Sequence, residues 1–138
     1  MTLKQKKIRC TLLKKMILIF GGAYQGKLEY AQENFEIDTV CDCSGGKEPD
    51  FDADVIYGLD GFVLKCTEES REAADYFKEN REKWQEKVLI INDVSQGIVP
   101  MEARMRAFRE MNGRLMLYLG READQVIRVF CGIGKRVK

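Results

Sequence analysis

MILIFGGAYQGKLEYA, residues 16–31, decides how this chain is read. Met16 to Phe20 form a short apolar run with no polar face, the pattern of a strand buried on both sides. Gly21-Gly22 follows at once, Gly26-Lys27 closes the loop, and a helix-forming segment runs from Lys27 to Glu33. Gly21-x-x-x-x-Gly26-Lys27 is a phosphate-cradling pattern set between a strand and a helix, the context such a loop requires. Glycines let the backbone curl so that successive N–H groups point at phosphate oxygens, and the helix N-terminus adds about half a positive charge. Gly21, Gly22, Ala23, Tyr24, Gln25, Gly26, Lys27 and Leu28 are therefore the expected nucleotide-phosphate residues, with the Lys27 ammonium on the outer phosphates. The alternative is a glycine-rich strand-to-helix turn with a solvated lysine, and the strand and helix flanking the loop favour the phosphate site.

One position departs from the pattern. A Ser or Thr hydroxyl normally follows the loop lysine and holds Mg²⁺, and here the residue is Leu28. Losing one such preorganised group costs about 2–4 kcal/mol of transition-state stabilisation. Phosphate binding survives the loss better than phosphoryl transfer does.

Composition bounds the rest. The 138 residues fit one domain over 16–138, preceded by a basic extension over 1–15. That extension holds Lys4, Lys6, Lys7, Arg9, Lys14 and Lys15 and no acid, which leaves 17 basic against 22 acidic residues elsewhere. No aromatic residue interleaves those charges, so the reading does not extend to nucleic acid. No apolar run approaches the ~20 residues of a membrane span, and a cytoplasmic location is expected. Five cysteines form no disulfide framework, and Cys41-x-Cys43 lacks the second pair that zinc needs. The 138 residues contain no histidine, which removes histidine triads and phospho- or nucleotidyl-histidine chemistry from this stretch of chain.

The remaining chain alternates strand and helix signals. Strands are expected at 36–41, 53–57, 88–91 and 125–130, and a short helical segment at 60–66. A long charged helix is expected over 68–87 with Thr67 as its N-cap and Ala73, Ala74, Phe77 and Trp84 as its buried stripe. A further helix over 101–120 is expected to divide at Asn112-Gly113, and Gly132-Ile133-Gly134 to lead into a basic tail. The sum is an α/β fold, a mostly parallel sheet of about five strands flanked by helices.

Two blocks carry a resemblance. Ile91-Asn92-Asp93-Val94-Ser95-Gln96-Gly97-Ile98-Val99-Pro100 resembles the Asn-Glu-Val-Gly-x-Gly-x-Val-Pro segment of the bifunctional adenosylcobinamide kinase/adenosylcobinamide-phosphate guanylyltransferase family. Phe108-Arg109-Glu110, Gly113 and Leu115, Ala123-Asp124-x-Val126 and Gly132-Ile133 are similar to its later motifs, and residues 21–28 to its Gly-Gly-Ala-Arg-Ser-Gly-Lys-Ser loop. The resemblance implies a RecA-like P-loop NTPase fold, ATP or GTP as nucleotide, phosphorylation of a cobinamide hydroxyl, guanylyl transfer through a histidine, and a homotrimer. Met101, Met105, Met111, Met116 and Leu117 on one helical segment suit such an oligomer or the core. Asn92-Asp93 keeps the family's carboxylate, which makes Asp93 the expected catalytic base or water-mediated metal group beside Lys27. Three features depart from the family. The histidine-bearing helix has no counterpart, the acid ending the third strand becomes Tyr57, and a late proline becomes Gly134. With Leu28 and Tyr57 in place, nucleotide binding is expected to rely little on Mg²⁺. A catalytically reduced nucleotide-binding or partner-binding relative is the competing reading.

Overall fold

The computed structural model describes residues 15–94 and 102–138. Apart from Lys15, the basic extension lies outside the described residues, as do residues 95–100 of the loop that resembles the family segment and Met101. The described chain runs β1 (Ile17–Gly21), α1 (Lys27–Asn34), β2 (Val40–Asp42), β3 (Val55–Tyr57), α2 (Leu59–Glu68), α3 (Ala73–Glu79), α4 (Arg81–Trp84), β4 (Val88–Asn92), α5 (Ala103–Glu122), β5 (Gln125–Phe130) and β6 (Ile133–Arg136).

These strands form one six-stranded sheet in the order β2-β3-β4-β1-β5-β6. Five are parallel and β6 returns antiparallel on β5. The apolar run of β1 takes the central place its composition demands, paired with β4 on one side and β5 on the other. Alternate side chains feed two cores. Ile17 and Ile19 pack with Ala31 and Phe35 under α1. Met16 and Leu18 face the layer of α2, α3 and α5, with Phe62, Phe77, Trp84, Leu115 and Leu119. Each fully buried aliphatic or aromatic side chain contributes about 1.5–3 kcal/mol.

Four expected elements take a different form. The alternating stretch 36–41 gives only the three-residue strand β2, because its pairing with β3 begins at Val40↔Val55. Thr67 is not an N-cap: it lies inside α2, its hydroxyl donates to the Val63 carbonyl at 2.9 Å, and the long charged helix is replaced by α3 and α4. Positive φ at Ser70 turns the chain between α2 and α3. The expected division at Asn112-Gly113 is absent, since α5 runs unbroken for 20 residues. Asn112 is buried there, and its Nδ2 donates to the Asn92 carbonyl at 3.0 Å, a tertiary bond that outweighs its turn preference. The glycine-rich end is strand β6 rather than a tail.

The methionine stripe is largely used within the chain. Met111 is buried, Met105 and Met116 pack against the larger core, and Leu117 is exposed.

Glycines discriminate between crowded and open backbone. A Cβ on Gly61 would lie 2.4 Å from the Ser44 carbonyl oxygen and 2.5 Å from that of Cys43, whereas one on Gly113 would meet nothing within 4 Å. Gly61→Ala is expected to lower unfolding stability by about 1–3 kcal/mol or more. Gly113→Ala, in a helix interior, should raise it by about 0.5–1 kcal/mol. Urea titrations of both variants check the pair of signs.

Candidate functional site

The parallel strands all end on one edge of the sheet, and ligands of open α/β sheets bind outside those carboxyl ends. Gly21, Asp42, Tyr57, Asn92 and Phe130 end β1 to β5 there. The 22–26 loop leaves β1 at its centre and α1 starts at Lys27, with Gly26 at φ 82° as the left-handed residue before the helix. Gly21 has no room for a side chain: a Cβ would stand 2.4 Å from the Val129 carbonyl oxygen of β5. Tyr24 also has positive φ (59°) and projects wholly into solvent.

Lys27 is buried, and its Nζ donates to the Gly22 carbonyl across the loop at 2.6 Å. Burial holds its pKa below the ordinary lysine value, while the charges of Asp60 and Glu29 pull it back up. A desolvated ammonium beside curled backbone gains most from an anion, which would return the charge stabilisation that burial removed. Gln25 ties the loop to the β5–β6 turn. Its side-chain Oε1 accepts from the Cys131 N–H at 2.7 Å and its carbonyl from the Gly132 N–H at 2.8 Å.

Asp93 sits one residue beyond β4, next to the loop as the sequence suggests, and its backbone N–H donates to the Gly21 carbonyl at 2.8 Å. It also lines a groove of about 410 Å³ with Phe20, Arg109 and Asn112. Tyr57 faces Asp42 across the β2–β3 pair, and the hydrogen bond it donates to that carboxylate raises its pKa. The bonds Asp42 accepts from Ser44 lower its own.

Asp60 is the site residue that sequence reasoning missed. It lies in the first turn of α2, three residues past β3, and its carboxylate accepts from the Asn92 backbone N–H and from Asn92 Nδ2, both at 3.2 Å. The signal was a carboxylate within one helical turn of a strand end, masked by the apolar residues around it. Asn112 completes the chain: its Nδ2 is spent on Asn92, while its Oδ1 is buried without a partner among the described residues. Leaving such an acceptor unmet costs about 1–3 kcal/mol.

Among the described residues, three positions near the loop are poorly suited to hold magnesium. Leu28 packs against the α1 core, Tyr57 is committed to Asp42, and both Asp60 oxygens are committed to Asn92. No cluster of three potential metal ligands occurs among the described residues. Nor is any helix among them long and apolar enough to cross a membrane.

A model of the cobinamide kinase / cobinamide phosphate guanyltransferase family matches residues 56–137, well over half of the chain. The chain belongs to this family. The match runs from β3 through β6 and takes in Asp60, Asp93 and Asn112, but it begins beyond the 21–27 loop. A curated relative, the bifunctional adenosylcobalamin biosynthesis protein CobU of Salmonella typhimurium, is 43% identical over 51 residues, 37% of this chain. The matched segment spans only 28% of that relative's length.

The electrostatic link between Asp60 and Lys27 can be read directly. Asp60→Asn removes the first of the two charges that hold the Lys27 pKa up, so the Lys27 titration should move further below the ordinary lysine range. NMR of ¹³C-labelled lysine side chains measures it; an unmoved midpoint would show that Asp60 does not reach Lys27.

Proposed function

We propose that this chain binds a nucleoside triphosphate, ATP or GTP, through the 21–27 loop, and that it works as a kinase-type member of its family on a cobinamide-like alcohol. The buried Lys27 ammonium, closed over the loop onto the Gly22 carbonyl, is the observation that carries the reading. On binding, Lys27 exchanges that carbonyl for the outer phosphate oxygens, and the backbone N–H groups of 22–27 orient the phosphates. Asp93, whose backbone N–H donates to the Gly21 carbonyl beside the loop, serves in this reading as the base for the acceptor's proton. Guanylyl transfer through a histidine has no nucleophile within these residues.

Leu28 and Tyr57 favour a second reading, a nucleotide-binding relative with reduced catalysis. Leu28 turns toward the α1 core and offers no hydroxyl, and Tyr57 replaces an acid with a phenol held by Asp42. Phosphorylation of cobinamide at ~1 s⁻¹ or faster supports the kinase, and binding without turnover supports the second reading.

Two measurements test the phosphate site itself. Lys27→Ala should weaken ATP and GTP about tenfold or more by calorimetry, the loss expected for a charge-assisted hydrogen bond. Equal affinities for wild type and variant would remove the proposal. Leu28→Ser restores a hydroxyl at the position where Mg²⁺ is normally held, so nucleotide affinity should become more dependent on Mg²⁺ than in the wild type.

A further inference from the structure

On the α5 side of the sheet, next to the end of β1, the groove that Asp93 borders is walled by Leu18, Phe20, Met116, Leu117 and Val126. Leu117 at its rim is exposed, and Asn112 lies in its wall, only 1% exposed. The orientation of the Asn112 amide is fixed by its neighbour. The Asn92 carbonyl accepts hydrogen bonds and cannot donate them, so the amide NH₂ must face it and Oδ1 is left over. That oxygen has no donor among the described residues. An apolar groove with one buried acceptor lacking a partner has the chemistry of a ligand pocket in which a single polar group sets orientation.

We propose that this groove binds a small alcohol with an apolar body, whose hydroxyl donates to Asn112 Oδ1. The hydrocarbon part covers Leu18, Met116 and Val126, and the hydroxyl supplies the donor that the described residues leave out. Asn112 is thus a specificity-determining residue that selects hydroxyl-bearing ligands over hydrocarbons of the same shape. That the bound alcohol is also the phosphoryl acceptor rests on the function proposed above; the binding itself does not.

The test uses ¹⁵N-labelled protein without nucleotide, titrated with benzyl alcohol and with toluene. Both should move the backbone signals of Leu18, Met116 and Val126 saturably, and only the alcohol should move the side-chain NH₂ signals of Asn112. Asn112→Leu should weaken benzyl alcohol about fivefold relative to toluene, the worth of one ordinary hydrogen bond. Leu117→Arg, a change at an exposed position, should abolish binding of both. Shifts confined to other surfaces, Asn112 side-chain signals that respond equally to both probes, or a Leu117→Arg variant that binds as well as wild type would overturn the proposal. Light scattering covers the remaining occupant: an oligomer that Leu117→Arg converts to a monomer would assign the groove to a second copy of the chain and overturn it. Because no nucleotide is present, failure here leaves the phosphate-loop reading untouched, and failure of Lys27→Ala to weaken nucleotide leaves this one untouched.

Discussion

The exit of β1 is the constraint on which the site depends. Gly21 passes so close to β5 that a methyl group there would sit 2.4 Å from the Val129 carbonyl oxygen. On its other side, the Gly21 carbonyl accepts the Asp93 N–H. The chain can leave the sheet only through a narrow slot between two neighbouring strands, and that slot aims the loop and Lys27 at the strand ends. Had β1 been an edge strand, only one flank would fix the turn. Its unbroken apolar composition, buried on both faces, is what puts it in the middle.

From that slot a polar line runs across the strand ends. Asp60 raises the charge preference of Lys27, holds Asn92 by two hydrogen bonds, and Asn92 is held in turn by Asn112 of α5. The line joins the start of α1, the first turn of α2, the end of β4 and the middle of α5. Breaking one member exposes the others to an unmet group in a poorly solvated place, so the line behaves as a unit. The surface pairs Arg114–Glu72 at 2.9 Å and Arg81–Glu122 at 2.8 Å also join α5 to neighbouring helices, but in solvent each contributes only about 0–1 kcal/mol.

The legible features of the sequence were those with a local physical cause. The buried strands β1, β4 and β5 follow from continuous or alternating apolar residues, and the start of α1 follows from Gly26-Lys27. The misread features turn on contacts far along the chain. Asn112-Gly113 has the local chemistry of a turn, but a partner 20 residues away, the Asn92 carbonyl, keeps Asn112 in the helix. Thr67 has the chemistry of a cap and instead bonds back to Val63 within its own helix. Asp60 carries no motif, and only the fold brings it to Asn92 and Lys27. Strand β6 was hidden by its glycine and basic residues, which suit an exposed edge that must not pair with another chain.

Gly134 sits where α1 leaves no room for a side chain. The Tyr30 ring lies over Gly134 so closely that a Cβ there would approach to 2.2 Å, so a proline would displace the ring. Tyr30 belongs to α1, one turn from Lys27, and packs with Leu28 and Tyr57 against the same core. Leu28, Tyr30 and Tyr57 thus share one apolar cluster under α1, and Tyr30 also covers Gly134. A hydroxyl at 28 and an acid at 57 would place polar groups against that apolar cluster, whereas leucine and tyrosine extend it. Leu28 and Tyr57 add packing there, and the packing helps to hold the helix that begins at Lys27.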